Sequence, residues 1–546
     1  MRAADVLGAV RRSVGPHVEA GCRAVAVSLA PSDRTLAQLV ARWESPPRIS
    51  VIIPVYSPPE AWLRAAVESV RDQIYPHWQL CLSDDASPDA WLPDYLAELA
   101  TDARISVVRR QINGHISAAS NSALSLANGD LIALMDNDDT LAPTALLHLA
   151  LAATSCPAAV AFYSDEDVVD QRGSPLWSYR KPAWDPDLLL ASNYLNHLTC
   201  LRREAMTAVG GFRVGMEGSQ DHDLLLRVTA GRRARVAHIP HVLYHWRAHE
   251  ASTAAGIGVK SYALDAAERS IIAALDLQGV SARWEFVPER GYRIAPPPAA
   301  APASMAVVRV QRPTDGRALA KAIAGSPEAT ITVLLAAGAQ EPDLPCWKEL
   351  VALHLDRPGV GAVGGKVLGP EEVVIDGALW CGLGSIFGSP VHTAYHSLGP
   401  EEPGPNARAA LLQSVTALSG SFLAVRSSTL REVGGVDERL HSYADVDLCQ
   451  RIRAHGLRCV WVPELVVRAG WAPERPKGLE AMRLRWRWPD LRRRDPAYPT
   501  AFRRRGHNSV ERYFHDPGGR RDARRLLTRI LSKQADLARE QARATS

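Results

Sequence analysis

Two blocks of this sequence, at 209–240 and 433–463, repeat each other. Val209-Gly210-Gly211-Phe212 followed by Asp221-His222-Asp223-Leu224 recurs as Val433-Gly434-Gly435-Val436 followed by Asp445-Val446-Asp447-Leu448, with every position offset by 224 (433 − 209 and 445 − 221). Each block runs on through a helical stretch to a strand holding a proline, Ile239-Pro240 and Val462-Pro463. A period this long excludes a solenoid and predicts two duplicated domains. That suits 546 residues at roughly 100–200 residues per domain. The tract Pro296-Pro297-Pro298-Ala299-Ala300-Ala301-Pro302-Ala303 reads as the linker between them.

The first copy alternates apolar strands with helices. Ile49-Ser50-Val51-Ile52-Ile53 ends at Pro54, and Ser57-Pro58-Pro59 offers an N-cap and first-turn prolines for a helix through Arg71. Gln79-Leu80-Cys81-Leu82-Ser83 stops at Asp84-Asp85, Ile105-Ser106-Val107-Val108 precedes Asn113-Gly114, and a helix over 117–128 leads to Leu131-Ile132-Ala133-Leu134-Met135. Near-continuous apolar strands alternating with helices predict an α/β fold with a mostly parallel sheet covered on both faces. Ligands bind such sheets at the carboxyl ends of the strands, where Asp84, Asp85, Asp136 and Asp138 all fall.

Charge and cysteine usage exclude several classes. Lys+Arg of 63 against Asp+Glu of 59 leaves +4, too balanced for a nucleic-acid partner. The 8 cysteines form no Cys-x-x-Cys pair or Cys/His cluster, so neither a zinc site nor a disulfide framework is expected, and a reducing, cytoplasmic compartment fits. The uncharged stretch 140–164 is broken by Pro143, His148 and Pro157, and reads as a buried helix followed by a buried strand rather than a membrane span. The N-terminus lacks the continuous apolar core of a signal peptide.

Met135-Asp136-Asn137-Asp138-Asp139 carries the most chemistry. Side chains two apart on a strand share a face, so Asp136 and Asp138 project together. Carboxylates about 4 Å apart repel by roughly 4 kcal/mol at an effective dielectric near 20, and a divalent cation, Mg2+ or Mn2+ for oxygen ligands, relieves this. The alternative is that Asp139 or Thr140 merely caps the next helix. Asp84-Asp85-Ala86-Ser87 is either an Asx turn or an acceptor for a nucleotide base or ribose. Asp221 and Asp223 either complement a helix dipole or supply a general base. In Val242-Leu243-Tyr244-His245-Trp246-Arg247 alternation puts His245 and Arg247 on one face, as a metal ligand beside a phosphate binder or as a core histidine.

These segments, in order with Asn121, Tyr163-Ser164-Asp165-Glu166-Asp167, Gly210-Gly211-Phe212 and Gln220-Asp221-His222-Asp223, resemble family 2 glycosyltransferases of the GT-A fold, more closely the bacterial branch for O-antigen or rhamnan-type polysaccharides. The resemblance covers about residues 49–253. It implies that Pro54, Val55 and Tyr56 line the nucleotide site with Asn113, that Asp85 pairs with the base, and that Asp138, helped by Asp136, holds the metal on the donor diphosphate. It further implies that Asp221 is the base, with Gln220 standing where glutamate is common. His245 would contact metal or diphosphate, Arg180, Lys181 and Arg247 the diphosphate, and Trp184 a sugar. The implied reaction inverts the anomeric carbon of a nucleotide-diphosphate sugar and extends a lipid-linked glycan acceptor. A non-catalytic sugar-nucleotide-binding scaffold stays open as the alternative. A nucleotidylyltransferase is disfavoured, because 54–59 lacks a glycine-rich phosphate loop.

The second copy lacks the metal carboxylates, the Asp-Asp turn and the histidine, whereas Asp445 and Asp447 survive at a helix start, where acids are favoured in any case. Ala336 and Gly338 stand where Asp136 and Asp138 do, only residues 305–330 precede the strand Ile331-Thr332-Val333-Leu334-Leu335, and Leu465-Val466-Val467-Arg468-Ala469 has no histidine. The expected organisation is a helical appendage over 1–46, a catalytic GT-A domain over 47–295, a linker over 296–304, a truncated GT-A-like domain without the Asp-x-Asp over 305–480, and an arginine-rich helical tail over 481–546. The tail holds Arg492-Arg493-Arg494, Arg503-Arg504-Arg505, Arg520-Arg521 and Arg524-Arg525 beside Trp486 and Trp488. It reads equally as a solvated helix or as a dock on anionic inner-membrane lipids, and a homo-oligomer is left open.

Overall fold

The computed structural model describes residues 32–231, 235–249, 261–288, 291–298, 304–325, 329–382, 390–475, 478–492, 495–496 and 520–545. The arginine runs at 492–494 and 503–505 and most of the proline-alanine linker therefore lie wholly or largely outside the described residues. The chain forms two compact units: 1–181 with 195–270 and 514–546, and 182–194 with 271–513.

The first unit is built on β1 (Ile49–Val55), β2 (Trp78–Asp84), β3 (Ile105–Arg109), β4 (Leu131–Leu134), β5 (Thr140–Leu141), β6 (Ala159–Val169), β7 (Pro175–Tyr179), β8 (Thr199–Arg202) and β9 (Arg235–Arg247). They lie in the order β3-β2-β1-β4-β8-β6-β9-β5, with β7 on β6. The expected parallel pairing holds for β3-β2-β1-β4 and for β6 with β9. β8 enters between β4 and β6 antiparallel to both, so the sheet is mixed. β1 lies inside the sheet and is apolar but for Ser50, whose hydroxyl donates to Gln79 Oε1 at 2.9 Å, and every residue but Pro54 is buried, as a strand covered on both faces requires. The stretch 140–164 resolves into β5, the helix Ala145–Ser155 and the start of β6. Among the described residues no helix is long and apolar enough to cross a membrane.

Two chain segments belong elsewhere than their sequence position suggests. The helix Arg520–Thr545, expected as part of a separate tail, joins the first unit: Ala523 and Leu527 are fully buried in its core. Arg520 Nε pairs with Asp33 at 2.6 Å, and His241 Nε2 with Asp522 at 3.2 Å. Conversely, 182–194 belongs to the second unit. Asp187 is completely buried there, meeting Arg458 at 2.8 Å and also Arg357. Leu188, Leu189 and Leu190 of the helix Pro186–Ala191 are buried beside it. The boundary expected at 295 falls instead inside the helix Ser261–Asp276.

The second unit comprises β10 (Arg283–Val287), β11 (Gly291–Ala295), β12 (Met305–Val310), β13 (Ile331–Ala336), β14 (Val360–Leu368), β15 (Val374–Asp376), β16 (Ala378–Cys381), β17 (Val391–Thr393), β18 (Gln413–Val415), β19 (Ala417–Leu418), β20 (Phe422–Arg426) and β21 (Arg458–Arg468). Its main sheet runs β12-β13-β20-β14-β21-β18. Set against β1-β4-β8-β6-β9, the path β12-β13-β20-β14-β21 repeats each pairing sense: parallel, antiparallel, antiparallel, parallel. No described strand stands in the places of β2 and β3.

Candidate active site

The chain turn after β4 is pinned from β9. Asp139 is fully buried and accepts hydrogen bonds from Tyr244 Oη at 2.6 Å and Arg247 N at 2.7 Å, while Arg247 Nε donates to the Asp138 carbonyl at 2.8 Å. The Asp136 amide donates to Tyr244 Oη at 3.2 Å. Asp139 thus anchors the turn instead of capping a helix, and burial together with Asp136 and Asp138 pushes its carboxyl up to about 8. Held this way, Asp136 and Asp138 keep 43% and 24% of their side-chain surface open.

The partners recorded for these two carboxylates are histidines. His249 Nε2 lies 2.8 Å from Asp138 Oδ2, and His197 Nε2 lies 3.6 Å from Asp136 Oδ2. His197 is positioned from behind: Glu166 Oε2 is 3.1 Å from its Nδ1 and accepts its backbone N–H at 2.5 Å, and its ring stacks on Tyr244 with centroids 4.8 Å apart. Burial alone would lower its imidazole, but Glu166, Asp136 and Asp139 raise it to about 9. Partial loss of water within the cleft raises Asp136 to about 6 although its side chain stays partly open, His197 working against this while Asp138 and Asp221 add to it. Asp221 is therefore near enough for its charge to act on Asp136.

Asp221 sits in the first turn of the helix Gln220–Thr229 with Oδ1 accepting the His222 N–H at 2.7 Å. Asp223, two residues on, has a different job. It is buried between Arg213 and Arg227, and Arg227 donates to the carbonyls of Val209 and Gly211 at 2.7 Å each. Gly211 has a φ of +70°, and a Cβ there would sit 2.7 Å from Asn121 Oδ1. Asn121 needs that space, because it pairs with both the N–H and the carbonyl of Phe212.

On the strand ends of β1 and β2, Asp85 is buried. It meets Arg110 Nε at 2.7 Å, and its two oxygens accept the Gly114 N–H at 3.0 and 3.1 Å. Asn113 Nδ2 donates to the Asp85 carbonyl at 3.2 Å, and Asn137 Nδ2 to that of Pro54 at 3.2 Å. Val55 is buried, and Tyr56 is 54% exposed. Ser57, expected as an N-cap, has φ of +46° and instead bonds Ser87 and Asp89, with Pro59 taking the cap position.

The structure thus gathers Asp136, Asp138 and Asp221 on one side and Pro54, Tyr56, Asp85 and Asn113 on the strand ends. It directs the other basic candidates inward. Lys181 is fully buried and donates to the carbonyls of Leu195 and His197 at 3.3 and 2.7 Å, burial lowering it to about 8. Arg180 Nη1 meets Asp165 at 3.3 Å, and Arg247 is a strut under the aspartates. His245 faces Asp167 (3.8 Å) rather than Asp138. Sequence reading gives no role to His249, His197 or Glu166. His249 stands two residues past Arg247, and Glu166 lies inside the Tyr163–Asp167 block, but their convergence depends on how β6, β9 and the 195–198 turn pack. No group of three ligating side chains is already gathered around a cation position among the described residues. The oxygen-rich pair Asp136 and Asp138, with one carboxyl raised by burial and then by its like-charged neighbours, nevertheless fits a hard divalent ion.

A parallel β3-β2-β1-β4 core, an Asp-x-Asp turn at the end of β4 and the acidic start of the helix Gln220–Thr229 define a GT-A fold. Residues 50–214 match the family described as Glycosyl transferase family 2, and this part of the chain belongs to that family. A protein of Sinorhizobium fredii described as "Uncharacterized protein y4gI" is 33% identical over 492 residues, 78% of this chain and 53% of that one. "O-antigen biosynthesis protein RfbC" of Myxococcus xanthus is 30% identical over 489 residues, 79% of this chain and 38% of that one. The chain thus spans about half the length, or less, of these relatives. A crystal structure of S. aureus TarS 1–349 in complex with UDP-GlcNAc superposes with a TM-score of 0.35 at 18% identity, over 42% of this chain and 66% of that one. A likeness that distant carries no argument here.

Proposed function

We propose that the first unit is a metal-dependent inverting glycosyltransferase that moves a sugar from a nucleoside-diphosphate donor to a hydroxyl of a growing, lipid-linked cell-surface polysaccharide. The observation that carries this is the Asp136–Asp138 turn at the end of β4, pinned from behind through Asp139, Tyr244 and Arg247 so that both carboxylates stay partly open. Asp138 and Asp136 would hold Mg2+ or Mn2+, which when bound neutralises charge on the leaving diphosphate. Asp85 and Asn113, fixed against each other and Gly114, shape the base pocket beside Pro54, Val55 and Tyr56. An acceptor oxygen attacks the anomeric carbon, its proton passes to an Asp221 oxygen, and the bond from that carbon to the diphosphate oxygen breaks with the electron pair leaving on the nucleoside diphosphate. Glu166 keeps His197 aimed at Asp136, where its charge faces the leaving side.

The O-antigen name of the RfbC relative supports the polysaccharide acceptor. The basic outer face of the helix Arg520–Thr545 supports peripheral contact with anionic lipid on the inner membrane face. Release of nucleoside diphosphate from a donor panel, in the presence of Mn2+ and then of EDTA, tests the reading. Turnover by an Asp221→Asn variant at the parent rate would overturn the base assignment.

A further inference from the structure

The second unit contains a cavity of about 360 Å3 that the proposed transfer chemistry does not use. Its volume falls in the range of roughly 300–1,000 Å3 typical of small-ligand sites. One wall is the hairpin of β10 and β11, which forms a sheet of its own. An isolated hairpin is marginal without support, and this one is held in two places. Arg293 Nε reaches Glu464 Oε1 on β21 at 2.9 Å. Gly291, at φ of +73°, lies so close that a Cβ would come within 2.6 Å of the Ala191 carbonyl. The wall is therefore built in place rather than left over.

The lining alternates charge. Arg283, Arg293 and Lys366 face Glu285, Glu401 and Glu464 around the same space. Arg293 bridges two of the acids, reaching Glu285 at 3.6 Å as well as Glu464. Lys366 Nζ donates to the Pro400 carbonyl at 2.7 Å, and Arg283 Nε to that of Pro296 at 3.0 Å. The floor is apolar, made by Ile294, Leu344, Leu350 and Val466. Three cations balanced by three carboxylates do not select a phosphate or other anion. The polar walls equally disfavour a lipid chain, since burying carboxylates and guanidiniums against hydrocarbon is costly. A neutral polyol matches both features: its hydroxyls donate to carboxylates and accept from guanidinium N–H groups, and a pyranose C–H face covers the aliphatic floor.

We infer that this cavity binds one or two sugar rings of a neutral saccharide. Its further identification as part of the acceptor rests on the glycosyltransferase reading; saccharide binding itself does not. The test uses the full chain without donor, titrated calorimetrically with neutral di- and trisaccharides of glucose, galactose, mannose and rhamnose, a glucuronate-bearing disaccharide, and inorganic phosphate. A neutral member of the panel binds, and Leu344→Trp, which fills the cavity, abolishes that binding. Arg283→Ala, at an exposed position where folding is not at stake, weakens it about tenfold, as loss of a charged hydrogen bond does. Metal-dependent donor hydrolysis by the first unit stays at the parent rate in both variants, so failure here is distinguishable from failure of the transferase reading. No neutral binding, equal affinity in both variants, or preference for glucuronate or phosphate would overturn the inference.

Discussion

Asp221 and Asp445 occupy the same place in two copies of one design, and their surroundings have parted. Both open a helix, Gln220–Thr229 and Ala444–Ala454, and both precede by two residues a buried aspartate bound to an arginine four positions on. That strut is kept in looser form: Arg227 holds the carbonyls of Val209 and Gly211 at 2.7 Å each, and Arg451 reaches those of Val433 at 3.5 Å and Gly434 at 3.4 Å, the latter one residue short of the Gly435 that matches Gly211. Asp445, however, is closed off. Arg475 grips it through Nη1 and Nη2 at 3.0 and 2.7 Å, and Gly420 N–H donates to it at 3.0 Å. Asp221 remains half-buried and its charge acts on Asp136, whereas in the second copy Ala336 ends the equivalent strand. The scaffold of the motif outlasts its chemistry, because the strut stabilises the loop and the free carboxylate does not.

The sharpest way to break this comparison is to make the same change in both. Asp221→Asn should lower nucleoside-diphosphate release by about 100- to 10,000-fold, the usual contribution of a general base, with the unfolding midpoint unchanged. Asp445→Asn should leave donor hydrolysis alone and destabilise the second unit by about 3–5 kcal/mol, since it strands a buried Arg475 charge. Denaturant unfolding of both variants beside the activity assay checks the pair. Activity loss in Asp445→Asn without destabilisation would sink the contrast.

The metal turn gives the next largest separation. Asp138→Ala should weaken Mn2+-dependent nucleotide binding by about 10- to 100-fold, because loss of groups that only support a metal ligand already costs that much. Nucleotide fluorescence titration with and without EDTA reads it, and a parent-like EDTA response would reject Asp138 as the ligand.

How far this contrast was legible beforehand follows from the range of the interactions. Strands that end in acids announce themselves locally, so Asp85, Asp136, Asp138 and the loss at Ala336 could be read from apolar runs alone. The 224-residue offset likewise exposed the repeated helix start. What sequence could not give is which charges turn inward. Arg180, Lys181 and Arg247 look like phosphate binders in a string of letters, yet Asp165, the 195–197 carbonyls and the 138 carbonyl consume them. The placement of 182–194 depends on Asp187 finding arginines 170 and 271 residues away. His249 and His197 reach the aspartates only through tertiary packing, and no local pattern encodes that.

Acid should also distinguish the units. His354 is buried in the second unit beside Arg357, and burial first, then that guanidinium, lowers its imidazole from 6.5 to about 3. A depressed folded value means the neutral form is favoured on folding. The stability it contributes is complete above about 6.5 and is lost as pH falls toward 3, while the unfolded chain takes up the proton first. The slope is about 1.4 kcal/mol per pH unit. Denaturant unfolding between pH 7 and 4.5 should show this decline in the parent and a shallower one in His354→Gln.

The smallest expected effect concerns the helix Arg520–Thr545, where the two faces must be separated. Its apolar face is already spent, with Ala523 and Leu527 fully buried in the first unit and Leu526, Ile530 and Leu531 packed against them. Truncating the tail would therefore uncover a core and confuse loss of docking with loss of folding. The informative changes are on the outer face, where Arg524 and Arg529 are exposed. Because the helix cannot insert its apolar side, attraction to a membrane would be electrostatic only, worth roughly a fivefold change in affinity for each arginine lost. Arg524→Gln and Arg529→Gln should each lower co-sedimentation with vesicles rich in anionic phospholipid by about that factor, at unchanged thermal stability, and the effect should fade as added salt shortens the screening length. Sedimentation indifferent to both substitutions would leave this face a solvated one, and would place any membrane contact elsewhere in the chain.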